Sequence, residues 1–307
     1  MDKVFLYAGQ GSQRVGMGKD FYEEFKEYRS LIDSLDPGFP IKEYMHEGPE
    51  EELVKTEHTQ PCMAAFAAGV TRVLKANGIN PAAACGLSLG EYGALFAAGV
   101  FSEEDYIRLV TYRGQAMADA AAGLSCSMSA ILGIMDSSVI EEAANSYDGG
   151  GYVTVANYNC PGQTVICGDE EAVSALEEQL KEKGAKRCIR LKVSGPFHTR
   201  YMQSAGERLK DYFSNIKWNR PGIDVACNVT GNIIRDEDIQ ELLIRQVQQS
   251  VRLEDDLKAL INAGYTDYIE IGPGNTMAGF LKKTAKALKA NITVSSIDTV
   301  DDLKKIL

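Results

Sequence analysis

In "CGLSLGEYGALFAAGV", residues 85–100, one serine stands between two glycines at G-x-S-x-G spacing, and small apolar residues follow. The apolar run before it, Ala82–Cys85, reads as a strand, and the run after it reads as a helix. Glycines on both sides let a strand turn straight into a helix, with the serine exposed at a strained position between them. The helix N-terminus beyond it aims free N–H groups at any oxyanion that develops there. On these residues alone Ser88 is either a nucleophile on such an elbow or a serine in a tight loop. The strand–turn–helix context favours the nucleophile.

Outward from the elbow the chain alternates strands and helices. Val4–Ala8 reads as a short buried strand ahead of the glycine-rich turn "GQGSQ" (9–13). Helical patterns follow over 21–34, about 49–56 and 61–76, where Pro61 suits a first turn. Residues 102–122 read as another helix, with Ser102 as cap and Asp105 in its first turn. The rhythm then changes. A strand at 127–134 leads to a helix at 137–146, strands at 152–157 and 163–168 form a hairpin across "NCPGQ", a helix spans 170–183, and "RCIRLKVS" (187–194) is a last strand. That order, βαββαβ, is the ferredoxin-like split unit. Alternation resumes with helices around 199–214, 237–246 and 252–263, strands at 223–227 and 268–271, and "GPGN" (272–275) leading into a helix. The expected fold is α/β: an α/β-hydrolase-like large domain with a central, mostly parallel sheet. It is formed by residues 1–124 and 193–307 and interrupted by an inserted ferredoxin-like domain at 125–192.

Composition narrows the function. The 307 residues are 45% hydrophobic and 24% charged, the balance of a globular chain. No apolar run approaches the roughly 20 residues of a membrane span. The apolar stretch after Lys3 is too short for a signal-peptide core, so a cytoplasmic protein with no membrane partner is expected. Seven cysteines without a C-x-x-C pair fit reduced thiols. His58 and Cys62 lie four apart, but Pro61 interrupts them and no second ligand pair exists, so no metal site is expected. The net charge of −11 argues against nucleic acid. "GQGSQR" lacks the third glycine of a dinucleotide fingerprint. "GMGKD" carries Asp20 where a P-loop needs Ser or Thr.

A serine hydroxyl needs a base, and the chain has three histidines. His46 reads as a surface residue and His58 as structural. His198, in "VSGPFHTRYM", is the one that follows Ser88 in chain order and sits on a loop ahead of a helix.

Seven motifs then carry a resemblance that spans nearly the whole chain: "GQGSQ" (9–13), "GLSLGEY" (86–92), "YRG" (112–114), "NYNCPGQ" (157–163), "SGPFH" (194–198), "IRQ" (244–246) and "EIGPG" (270–274). In this order they resemble the malonyl-CoA:acyl carrier protein transacylases, to which the acyltransferase domains of polyketide synthases are related. The resemblance implies Ser88 as acyl-accepting nucleophile and His198 as general base, later general acid. It implies the backbone N–H groups of Gln10 and Leu89 as oxyanion hole, and a main-chain carbonyl around Gln246, as the histidine-orienting support, in place of the usual triad acid. Arg113 is implied as the ligand of the malonyl carboxylate, through two parallel hydrogen bonds; without the motif it reads as a surface arginine. Phe197 is either a wall of the acyl pocket or a core aromatic. Two positions depart from the family: Leu87 replaces a histidine and Ala8 a proline.

The implied reaction is a ping-pong transfer with malonyl-CoA and a phosphopantetheinylated acyl carrier protein as substrates and partners, no cofactor, and a monomeric enzyme serving fatty-acid synthesis. A free-standing acyltransferase of a polyketide pathway and a thioester hydrolase using the same Ser–His pair are the alternatives, with a non-catalytic carrier-binding scaffold a third. Lys181, Lys183, Lys186, Arg187, Arg190 and Lys192 form one basic cluster, and Lys282, Lys283, Lys286 and Lys289 another. Each is either a docking face for an acidic carrier or a solvated surface.

Overall fold

Val4, Phe5, Leu6 and Tyr7 are all buried, the pattern of a strand covered on both faces. They make up most of β1 (Lys3–Tyr7), which lies inside a six-stranded sheet. The computed structural model describes residues 2–191 and 195–307. The expected boundary between 192 and 193, with Lys192 and Ser194, lies outside the described residues.

The chain lays β2 (Pro81–Gly86) beside β1, then leaves to build a second sheet. That sheet consists of β3 (Cys126–Leu132), β4 (Val153–Cys160), β5 (Gln163–Asp169) and β6 (Arg187–Arg190). It returns to the first sheet with β7 (Asp224–Cys227), β8 (Asn232–Ile233), β9 (Asp267–Ile271) and β10 (Thr293–Ile297). The large sheet runs β10-β9-β1-β2-β7-β8 and is parallel except for the short β8. The expected α/β architecture with a central, mostly parallel sheet is therefore present. The second sheet runs β4-β5-β3-β6, antiparallel throughout. Helices Ser138–Asn145 and Glu170–Glu182 pack on it through Ile140, Val173, Leu176 and Leu180.

The two sheets are joined at the edge of β4. The Tyr158 N–H donates to the Val251 carbonyl at 2.8 Å, and the Val251 N–H donates to the Ala156 carbonyl at 2.9 Å. This ties the second sheet to the segment that follows helix Ile239–Gln246.

Several local expectations are corrected. The helix expected from Pro61 begins at Thr56 and carries the proline inside it. Pro61 removes a single bond, to the Glu57 carbonyl, and burial of most of Thr56–Ala76 outweighs that loss. The pattern at 21–34 is two helices, Lys19–Glu24 and Lys26–Ser34, separated by Phe25 in an extended conformation. His46 ends a short helix, Ile41–His46, and is buried with the Tyr22 ring edge-on at 5.3 Å, not exposed. The Ser102 cap is present, its side chain accepting the Asp105 N–H at 3.0 Å. Among the described residues no helix is long and apolar enough to cross a membrane.

Candidate active site

The glycines of the elbow are explained by what surrounds them. A Cβ on Gly86 would lie 1.9 Å from the Gly90 carbonyl carbon, and one on Gly90 would lie 2.1 Å from the Tyr7 carbonyl oxygen. The helix Leu89–Ala97 can therefore start directly on top of the sheet only if both positions lack a side chain. Ser88, between them, has φ +53° and ψ −101°. That conformation costs a non-glycine residue about 1–3 kcal/mol and persists only where the surroundings enforce it.

His198 also has a positive φ, +62°. Its loop is pinned by a bond from its N–H to the Val247 carbonyl at 3.1 Å. Nε2 lies 2.7 Å from Ser88 Oγ, and Nδ1 lies 2.8 Å from the Gln246 carbonyl. A carbonyl can only accept, so Nδ1 carries the proton and Nε2 is left to accept the serine's. Burial, followed by the nearby Arg113 charge, pushes His198 down to about 4, so the ring is neutral at neutral pH. His58 takes no part: it packs at a tilt against the Phe39 and Tyr44 rings, with Nδ1 3.0 Å from the Glu52 carbonyl.

Arg113 is fully buried on helix Glu103–Ala121. Nη2 donates to Ser88 Oγ at 3.1 Å and to Gln246 Oε1 at 3.0 Å, and Nη1 donates to Gln60 Oε1 at 2.7 Å. Among the described residues, buried Nε has no partner. None of the acceptors is a carboxylate, and the guanidinium lies over the Tyr92 ring at 5.0 Å. The Gln246 side chain also donates to the Ser88 carbonyl at 2.8 Å and to Glu91 Oε2 at 2.7 Å. Burial raises the Glu91 carboxyl to about 7.

Ser88 and His198 open onto a cavity of about 110 Å³ at the seam between the sheets, lined also by Gln10, Gln60, Met117 and Phe197. Among the described residues, neither the Gln10 nor the Leu89 backbone N–H has a protein acceptor. A neutral imidazole on a strained serine, a buried cation and free N–H groups together suit transfer of an acyl group carrying a negative charge. The acyl transferase domain profile matches residues 4–304. A malonyl CoA-acyl carrier protein transacylase of Bacillus subtilis (strain 168) is 40% identical over 306 residues, 98% of this chain and 96% of that protein. The chain belongs to the malonyl CoA-acyl carrier protein transacylase family. Solved members of the family agree. The transacylase of Clostridium perfringens superposes with a TM-score of 0.93 at 38% identity, covering 100% of this chain and 96% of that one. A malonyl transacylase in complex with a type II polyketide synthase acyl-carrier protein gives 0.93 at 32% identity, covering 100% and 99%.

The structure thus gathers Ser88, His198, Arg113, Gln246, Gln10, Leu89 and Phe197 around one seam of this transacylase fold. It adds Gln60, Glu91, Asn228 and Asp256, which sequence reasoning missed. Glu91 lies inside the quoted "GLSLGEY" motif, and Asn228 is a polar residue directly after the buried β7, a position where a side chain must find partners.

Proposed function

We propose that this protein moves a malonyl group from malonyl-CoA to the phosphopantetheine thiol of an acyl carrier protein through an ester on Ser88. Ser88 Oγ attacks the thioester carbonyl while His198 Nε2 takes its proton. The Gln10 and Leu89 N–H groups hold the oxyanion; losing one such donor costs about 100- to 1000-fold. The C–S bond then breaks, and His198 returns the proton to the departing CoA sulfur. The carrier's thiol attacks the ester by the reverse path. No oxidation state changes, so the step needs no redox cofactor, and CoA and carrier enter as substrates.

The observation that carries malonyl rather than an uncharged acyl group is Arg113. A fully buried guanidinium whose acceptors are all neutral is an uncompensated charge, and a substrate carboxylate would complete it. The nearby carboxyl that favours its charge, Glu91, is itself pushed to about 7. Arg113→Ala is expected to lower kcat/KM for malonyl-CoA about 30- to 1000-fold and to change acetyl-CoA far less. An unchanged malonyl-to-acetyl ratio would remove Arg113 from the substrate site. Phe197, buried against the same small cavity, supports a wall that crowds branched acyl groups.

The whole reading is tested by intact mass. A malonyl adduct should form with malonyl-CoA, persist in buffer and disappear on adding carrier. An adduct that decays in water alone would make the protein a hydrolase. Fatty-acid synthesis is the destination we assign. Loading a polyketide carrier, as in the complex above, is the second reading and would draw on the same ester.

For the carrier's docking face we favour helix Thr276–Leu288. Among the described residues its Lys282, Lys283 and Lys286, with Lys289 just beyond it, make no ion pair. Its first turns (Thr276, Met277, Phe280) line a cavity of about 280 Å³ together with Gln10 and Leu87. In the other cluster, Arg190 is held by Glu170 and Glu177, and Lys181 by Glu178. Charge reversal at Lys282 and Lys286 is expected to raise KM for carrier about tenfold and leave malonyl-CoA acylation unchanged. An unchanged carrier KM would point to the small unit instead.

The element order and strand order of the second sheet support a ferredoxin-like unit at 125–192, inserted in an α/β-hydrolase-like frame of 1–124 and 193–307. Seven free cysteines support a reducing, cytoplasmic setting.

A further inference from the structure

Beneath the nucleophile lies a buried polar cluster that the transfer steps above do not use. Asn228 is fully buried. Its Oδ1 accepts the Ser88 N–H at 2.7 Å, and its Nδ2 donates both to the Gly86 carbonyl and to Asp256 Oδ2 at 2.8 Å. Its own N–H donates to Glu91 Oε1 at 3.3 Å. The partners settle which end of the amide is which: the Ser88 N–H can only donate and the Gly86 carbonyl can only accept. One side chain therefore spans the elbow from the end of β2 to its apex. On the other side of the apex, the Ser88 carbonyl accepts from Gln246 Nε2, which is shared with Glu91.

We propose that Asn228 is a positioning residue for acyl transfer: its amide clamps the Ser88 peptide in its left-handed conformation and so holds Oγ on His198 Nε2. Two features of the geometry support this. Among the described residues the Ser88 N–H has no backbone acceptor and is taken by Asn228 Oδ1 alone, and a buried N–H left without an acceptor is costly. The same bond withholds the Ser88 N–H from the reacting carbonyl and leaves the elbow's contribution to the oxyanion hole to Leu89. Asp256 and Glu91 behind the amide are both buried, and burial together with their mutual repulsion raises Asp256 well above the ordinary carboxylate range. The Asp256 carboxyl takes one Nδ2 hydrogen and so helps fix the amide's direction beneath the nucleophile.

The proposal rests on the Ser88 ester, so wild-type enzyme is run alongside in rapid-quench acylation by malonyl-CoA, read by intact mass. Asn228→Ala is expected to acylate about 10- to 100-fold more slowly, with KM for malonyl-CoA within about twofold of wild type and the final ester stoichiometry unchanged. Full stoichiometry shows that every molecule is folded and competent, which a purely structural loss would not leave intact. A rate within about threefold of wild type overturns the proposal. If Asn228→Ala does not fold, Asn228→Leu and Asn228→Asp replace it. Leucine fills the volume with no acceptor for the Ser88 N–H, and aspartate keeps that acceptor in the same shape. Asn228→Asp is expected to acylate about tenfold faster than Asn228→Leu, and equal rates overturn the proposal. If wild-type enzyme itself forms no ester, the proposed function fails instead.

Discussion

Ser88→Ala enzyme mixed with malonyl-CoA is expected to keep the mass of the free protein, while transfer to carrier falls about a million-fold, the scale seen when a hydroxyl nucleophile is removed. The expectation is sharp because, among the described residues, the nearby thiols and the Ser12 hydroxyl cannot substitute. Cys85, three residues before Ser88, is fully buried, and burial holds its thiol far above the range in which a thiolate forms. Cys160 is likewise pushed up to about 11. The Ser12 hydroxyl is spent on the Gly9 carbonyl at 3.0 Å. Arg113 and the backbone donors remain in the variant, so malonyl-CoA should still bind. A variant that binds but does not acylate assigns the chemistry to Oγ. An adduct retained in Ser88→Ala would move the nucleophile elsewhere.

Removing the base should cost nearly as much. His198→Ala is expected to slow acylation about ten-thousand-fold, at the upper end for a general base. The wild-type pH profile should carry a second signature of the same residue. The base works when neutral, so the rate falls as pH drops through its pKa. The acid limb of kcat/KM should therefore lie near pH 4, where burial and Arg113 place the ring, and not near the ordinary histidine value of 6.5. A bound malonyl carboxylate offsets the Arg113 charge, so the limb in the acyl-CoA complex should sit at higher pH than in the free enzyme. The sign for folding is also fixed. Between 6.5 and about 4 the unfolded chain takes up a proton that the folded ring refuses, so His198 makes the protein less stable as pH falls through that window. An acid limb near 6.5 would show that burial and Arg113 do not depress the ring in the free enzyme.

Much of this was legible along the chain, and what was not has a physical reason. The elbow could be read because strand, turn and helix are contiguous and two glycines mark a close approach. The cap at Ser102 and the hairpin at Pro161–Gly162 were local for the same reason. Pro61 misled because a proline is normally a boundary, whereas here packing around the whole of Thr56–Ala76 overrides it. That earlier start is what brings Gln60 onto Arg113. The edge strand β10, "TVSSI", was missed because its serines break the apolar pattern. Gln60, Asn228 and Asp256 were invisible because their partners lie far along the chain: Asn228 meets Ser88 across 140 positions and Gly86 across 142. The roles of Arg113 and Gln246 came from motif resemblance and not from spacing. Arg113 alone read as a surface residue, and its burial reverses that.

One contact has a consequence for the idle enzyme. Arg113 Nη2 rests 3.1 Å from Ser88 Oγ, so a lone pair of the resting hydroxyl is occupied by the same guanidinium that a malonyl carboxylate would draw away. On the proposed reading, an arriving malonyl carboxylate and the hydroxyl would compete for one N–H, and the serine would be released where the carboxylate wins. An acyl-CoA with no carboxylate would leave that contact in place. Selectivity and readiness would then be a single interlock, in which the cargo carries the key to the nucleophile that receives it.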